Sequence, residues 1–129
     1  MIDGIEGVTT AALGLALDAA SLRHQVIAAN IANANVAGYV PMAVSFEAQL
    51  ADARRELNGR GHLDMSSLQG IAPRVEAVMD SGPLGLEPKV MLDVEISHMA
   101  QNAVQFQALA RGLEKHYAIL SVAVNDGRK

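Results

Sequence analysis

Glu95 and His98 stand three residues apart in a helical pattern, the spacing at which helix bundles hold paired metal ions. Such a centre needs a second pair on a facing helix. None occurs, and the first helical pattern offers Asp18 as its only interior acid. Glu95 and His98 also fall off the apolar seam of their own segment, on a face read as solvated. His24, His62 and His116 lie in unrelated contexts, with His24 expected to be the most buried. The glycines at 59, 61, 82 and 85 neither follow a convincing strand nor open a helix, so they make no phosphate loop, and no nucleophile elbow appears. No catalytic residue, metal ligand or cofactor is assigned.

The other polar cluster is amide chemistry. Asn30, Asn33 and Asn35 interrupt an otherwise apolar helical pattern, where asparagine weakens the helix because its amide competes for backbone groups. Asn30 and Asn33 share a helix face, and a polar residue on a seam penalises every misaligned packing, so the pair is expected to fix register across assembled helices. Gly38 suits the left-handed residue that closes a helix, Tyr39 is placed to fold back on the last turn, and Pro41 forbids continuation. The helix is expected to end near Ala37.

The elements that position these groups follow from periodicity. Ile5, Val8, Ala12, Leu15, Ala19, Leu22, Val26, Ala29 and Asn33 recur at alternating spacings of three and four, beside a second stripe through Leu13, Leu17, Ala20, His24, Ile27 and Ile31. One partner cannot cover both stripes, so several neighbours are expected. Asp3 and Glu6 suit the positive end of the helix dipole, with the start left open between Gly4 and Thr10. Phe46, Leu50, Ala53 and Leu57 predict a short amphipathic helix ending at Asn58-Gly59-Arg60-Gly61. Residues 59–90 hold five Gly and three Pro and read as a mobile connector. Within it Ile71, Pro73, Val75, Ala77 and Met79 give a weak strand signal whose partner would have to come from elsewhere, another subunit included.

A second long helix is predicted from about Met91–Asp93 to Asn125-Asp126-Gly127. Its seam runs Leu92, Ile96, Met99, Ala103, Phe106, Ala110, Leu113, Tyr117, Leu120 and Val124, and Gly112 within it suggests a close backbone approach. The predicted fold is all-α, with long N- and C-terminal helices paired as a coiled-coil hairpin and a flexible Gly/Pro-containing connector. Its parts are an N-terminal axial helix at 1–37, a turn and short amphipathic helix at 38–58, the connector at 59–90 and a C-terminal axial helix at 91–129. Intramolecular pairing inside a small bundle and stacking against other copies both fit these seams.

Composition narrows the function. The chain has 129 residues, 50% hydrophobic but only 3% aromatic, a net charge of −4 and no cysteine. Scattered cations and scarce aromatics argue against nucleic-acid binding. The first basic residue is Arg23, so no cleaved secretory signal is expected, and the asparagines, Gly38 and Pro41 make the uncharged run from Gln25 to Phe46 a poor membrane span.

Ala29-Asn30-Ile31-Ala32-Asn33-Ala34-Asn35 followed by Gly38-Tyr39 closely resembles the N-terminal signature of the bacterial flagellar rod and hook proteins. Val36 and Val40 depart from it, standing where family members usually carry a hydroxyl residue and a basic one. The resemblance covers roughly Ile5–Leu50 and Leu92–Val124. Asp93-Val94-Glu95, Met99-Ala100-Gln101-Asn102 and Phe106-Gln107-Ala108-Leu109 are similar to the proximal rod member of that family. The resemblance implies a structural, non-enzymatic subunit of the basal-body proximal rod in the periplasm, transmitting torque between the membrane ring and the distal rod. It implies export without a cleaved signal by the flagellar type III export apparatus. The implied partners are other rod subunits and the ring-to-rod junction protein. Asn30, Asn33, Asn35, Gly38, Tyr39, Phe106, Leu113 and Tyr117 would serve assembly and register. Phe46-x-x-x-Leu50 resembles the short hydrophobic motif by which early substrates dock on the export gate; plain packing of a short amphipathic helix explains it equally well. A soluble helical adaptor or export chaperone that binds a partner helix without polymerising is the competing function.

Overall fold

A computed structural model of the chain describes residues 2–79 and 85–127, without the side chains of residues 2, 3 and 5. The expectations for Asp3, Ile5 and residues 80–84 of the connector therefore lie outside what is described. In chain order the elements are α1 (Ile2–Ala32), β1 (Met42–Ser45), α2 (Glu47–Arg60), α3 (Met65–Gln69), β2 (Arg74–Ala77) and α4 (Leu92–Asp126). At about 1.5 Å per residue α1 extends roughly 46 Å and α4 roughly 52 Å. They run antiparallel: Glu95 meets Asn30, Asn102 meets Ala20, and Gly112 lies opposite Leu13.

Both apolar stripes of α1 are used, by different neighbours. Ala19 packs in a core with Phe46, Ala53, Leu68 and Ile71, supported by Val8, Ala11, Ala12, Leu15 and Leu63. Ala20, Val26 and Ile27 are also buried, and α1 contacts α4, β1 and α3. Alanines at 19 and 20 leave no bulk between backbones, which lets neighbours approach closely.

The chain is not all-α. β1 and β2 form a two-stranded antiparallel sheet with Met42 opposite Ala77, Ala43 opposite Glu76, Val44 opposite Val75 and Ser45 opposite Arg74. The strand signal near Val75 therefore finds its partner within the same chain. The connector also carries α3 and β2, while residues 85–90 belong to no helix or strand. Gly61 sits at φ 75° and its N–H reaches the Leu57 carbonyl at 2.8 Å, which closes α2 with a left-handed residue.

α1 starts at Ile2 and stops at Ala32, five residues before the expected Ala37. The chain then descends through turns, with N–H bonds from Val36 to Asn33 and from Tyr39 to Val36, to Gly38 at φ 76°. Asn33 turns its amide back on the helix, where the Ala29 carbonyl accepts from its Nδ2 at 2.8 Å as well as from its backbone N–H at 3.0 Å. α4 begins and ends where expected, but only part of its predicted seam is covered. Met99, Ala110, Leu113 and Leu120 of the predicted seam are covered, together with Glu95, Asn102, Leu109 and His116 beside it, whereas Leu92, Ile96, Ala103, Phe106, Tyr117 and Val124 of the seam are exposed. Gly112 is no close approach either: a Cβ there would meet only Leu13 Cδ2 at 4.0 Å.

Candidate assembly site

Asn30 is the most deeply buried large side chain, 1% exposed, and every hydrogen-bonding position of its amide is filled. Nδ2 donates to the Met42 carbonyl at 2.8 Å and to Glu95 Oε2 at 3.1 Å. Oδ1 accepts from the Met42 N–H and from the Tyr39 hydroxyl, both at 3.0 Å. The Met42 backbone offers one donor and one acceptor side by side, so it fixes which way the amide points. The amide acts as a peptide unit of a missing strand and satisfies the edge of β1 that faces α1.

One side chain thereby ties together four parts of the chain: α1, the Gly38–Tyr39 turn, β1 and α4. Gly38 turns the backbone, Tyr39 folds back as expected, and buried Pro41 leads into the strand. Further along β1, Arg23 donates to the Val44 carbonyl at 3.4 Å and pairs with Glu47 at 2.5 Å. Burial alone would raise the Glu47 carboxyl pKa; the backbone amides of Glu47 and Phe46 together with Arg23 outweigh it and hold the pKa below the usual 4.5.

Several sequence expectations change here. Asn30 was expected to set register between subunits, but its amide is fully used within the chain. Glu95 does not sit on a solvated face; it turns toward α1 and bonds Asn30, with His98 Nδ1 3.8 Å from its other oxygen. Among the described residues no group of three or more His, Cys, Asp or Glu could hold a metal ion. His24 is exposed and His116 is the partly buried histidine. Asn33 bonds back to the Ala29 carbonyl at 2.8 Å, and Asn35 is exposed. Phe46 is buried in the core, while Leu50 is exposed beside it.

The structure brings together three predicted assembly residues. Phe106, Leu113 and Tyr117 line one shallow cleft with Leu17, Asp18 and Ser21 of α1. Phe106 is 41% exposed and Tyr117 51%, and exposed Val124 continues the same face toward the end of α4. A contiguous apolar surface of this kind marks a contact with another protein.

Sequence reasoning missed Asn102. It is 3% exposed, and its Nδ2 donates 2.8 Å to the Ala20 carbonyl, while Oδ1 has no partner among the described residues. The signal was present: Glu95, Asn102, Leu109 and His116 recur every seven residues, on a stripe beside the seam residues Met99, Ala110, Leu113 and Leu120.

The turn that Asn30 holds is also where known proteins match. The family model described as flagella basal body rod protein matches residues 13–39, from the middle of α1 through Gly38 and Tyr39. The flagellar basal body rod protein FlgB of Borrelia hermsii is 33% identical over 110 residues, covering 84% of this chain and 79% of that protein. The chain belongs to the flagellar basal body rod protein family. That family is a structural component of the rod, not an enzyme family. In this rod protein the matched segment is the part whose polar residues shape the fold, and the exposed face of α4 lies outside the family model's span. No helix among the described residues is long and apolar enough to cross a membrane.

Proposed function

We propose that this rod protein is a proximal rod subunit that transmits torque between the membrane ring and the distal rod. The observation that carries the reading is the apolar surface of α4, from Leu92 and Ile96 through Phe106 and Tyr117 to Val124, left uncovered by the chain's own elements. Burying it against neighbouring subunits removes apolar area from water at about 25 cal/mol per Å². Heterologous contacts through such a stripe repeat into a tube, where an isologous pair would close. In the assembled rod α1 and α4 act as a coiled-coil pair whose outward seam meets other rod subunits and the ring-to-rod junction protein. Asn33, Asn35 and Gly38, which keep surface positions, take the register role between subunits.

The subunit reaches the periplasmic rod through the flagellar type III export apparatus without a cleaved signal. Docking at the export gate through Phe46 and Leu50 requires Phe46 to leave the core it shares with Ala19, Ala53, Leu68 and Ile71, so recognition precedes folding. Basal bodies isolated from a strain lacking this chain test the assignment by electron microscopy. Membrane rings without rods, restored by complementation, are expected. Complete rods and normal swimming would instead favour the soluble adaptor.

A further inference from the structure

The two-stranded sheet has one guarded edge and one open edge. Ala43 and Ser45 of β1 face Glu76 and Arg74, and the Val78 N–H reaches the Pro41 carbonyl at 2.9 Å, so the odd-numbered backbone groups of β1 and the even-numbered ones of β2 point into the sheet. On the far side of β1, Asn30 takes both backbone groups of Met42 and Arg23 takes the Val44 carbonyl. On the far side of β2, alternation points the N–H and C=O of Val75 and Ala77 away from the sheet. No hydrogen bond from a described residue reaches them. All four β2 residues are exposed, and Arg74 and Glu76 form no ion pair with a described residue.

From this geometry we infer that the open edge of β2 pairs antiparallel with β2 of a second copy of this chain, with Val75 opposite the partner's Val75. An unpaired edge is a template for another strand, and the charges choose the occupant and the register. Centred on Val75, the pairing sets Arg74 against the partner's Glu76, and Glu76 against the partner's Arg74. Shifting the centre to either neighbour sets Arg74 against itself or Glu76 against itself, and directly opposed like charges are unfavourable. The Val75 residues exchange both backbone bonds. Each Ala77 N–H also donates to the partner's Pro73 carbonyl, and Pro73, with no N–H, returns none. The contact is isologous and closes at a pair. It is therefore a state of the free subunit, separate from the α4 contacts that build a tube.

The chain contains no cysteine, so a single introduced thiol reports the register. A hydrogen-bonded antiparallel pair places its Cα atoms about 5.5 Å apart, within disulfide reach, whereas residue 76 and its own copy would be about 8 Å apart and beyond it. Purified full-length V75C and E76C are held in a glutathione redox buffer and covalent dimer is followed on non-reducing gels, with helical content and melting temperature checked for each variant. V75C is expected to cross-link at least about tenfold faster than E76C. Adding E76R to V75C should slow it by about fivefold to tenfold, and R74E together with E76R should restore it to within about twofold. Equal rates for V75C and E76C, an unaffected E76R variant, or an exchanged pair that fails to rescue would overturn the inference. Because the assay uses the chain away from the flagellum, its failure leaves the rod assignment untouched.

Discussion

Removing the Asn30 amide should destabilise this rod protein more than any other single polar truncation in it. N30A deletes four hydrogen bonds from a site that is 1% exposed. At a net of about 1 kcal/mol each, the four set an upper figure of about 4 kcal/mol. The Tyr39 hydroxyl and the Glu95 carboxylate can turn to water and recover part of that. The Met42 N–H and C=O, covered by α1, cannot, and an unsatisfied buried backbone group costs about 1–3 kcal/mol. The expected loss is thus about 2–4 kcal/mol, a large share of the roughly 5–15 kcal/mol that holds a domain folded. Urea unfolding followed by circular dichroism measures it, with the midpoint falling and the slope unchanged. A loss below about 0.5 kcal/mol would refute the reasoning, because it would mean these bonds are not exchanged for unsatisfied groups. N30D sharpens the test: it sets a second carboxylate beside Glu95, where like charges raise the folded pKa above its unfolded value. Its stability should recover as pH falls through that raised value and be lost again as pH rises.

Other outcomes follow from the same geometry. N102L removes one bond but also the unpartnered Oδ1, so its loss should stay within about 1 kcal/mol and well below that of N30L in the same assay. G38A puts a Cβ at φ 76° with nothing nearby to clash, and should lose about 1 kcal/mol of urea stability from backbone strain alone. G112A, whose Cβ meets only Leu13 Cδ2 at 4.0 Å, should gain about 0.5–1 kcal/mol through helix propensity. Glu47 has a folded pKa below 4.5, so its contribution is present above that value and fades as pH falls through the folded one. The difference between wild type and E47Q should therefore be constant above pH 4.5 and shrink below it, and should diminish with salt because the pair is exposed.

Long-range periodicity made α1 and α4 legible, because seams that alternate threes and fours survive any local preference. The left-handed Gly38 and the return of Tyr39 were legible from residue type. Which residues of α4 the chain would cover was not. Its apolar residues occupy two stripes, and the choice between them rests on small Ala19 and Ala20 across the interface and on the bonds that draw Glu95 and Asn102 inward. None of these is a property of α4 alone. β1 left a faint trace in Met42, Val44 and Phe46 alternating with Ala43 and Ser45, too short to outweigh the neighbouring helix pattern. Asn30 stands out by its type in an apolar helical pattern, but its partners lie 9, 12 and 65 positions away. Sequence spacing could place them only on a helix face, and so suggested a contact between subunits where the fold makes one within the chain.

The reading as a rod subunit turns on the uncovered face of α4, and the most direct test charges that face without disturbing the fold. In a strain whose only copy carries F106E and Y117E, the purified variant should keep its helical content and unfold within about 1 kcal/mol of wild type, since both positions are exposed. Basal bodies from that strain, viewed by electron microscopy, should show membrane rings without rods, and the cells should not swim. Full-length rods and normal swimming with both charges in place would contradict the account.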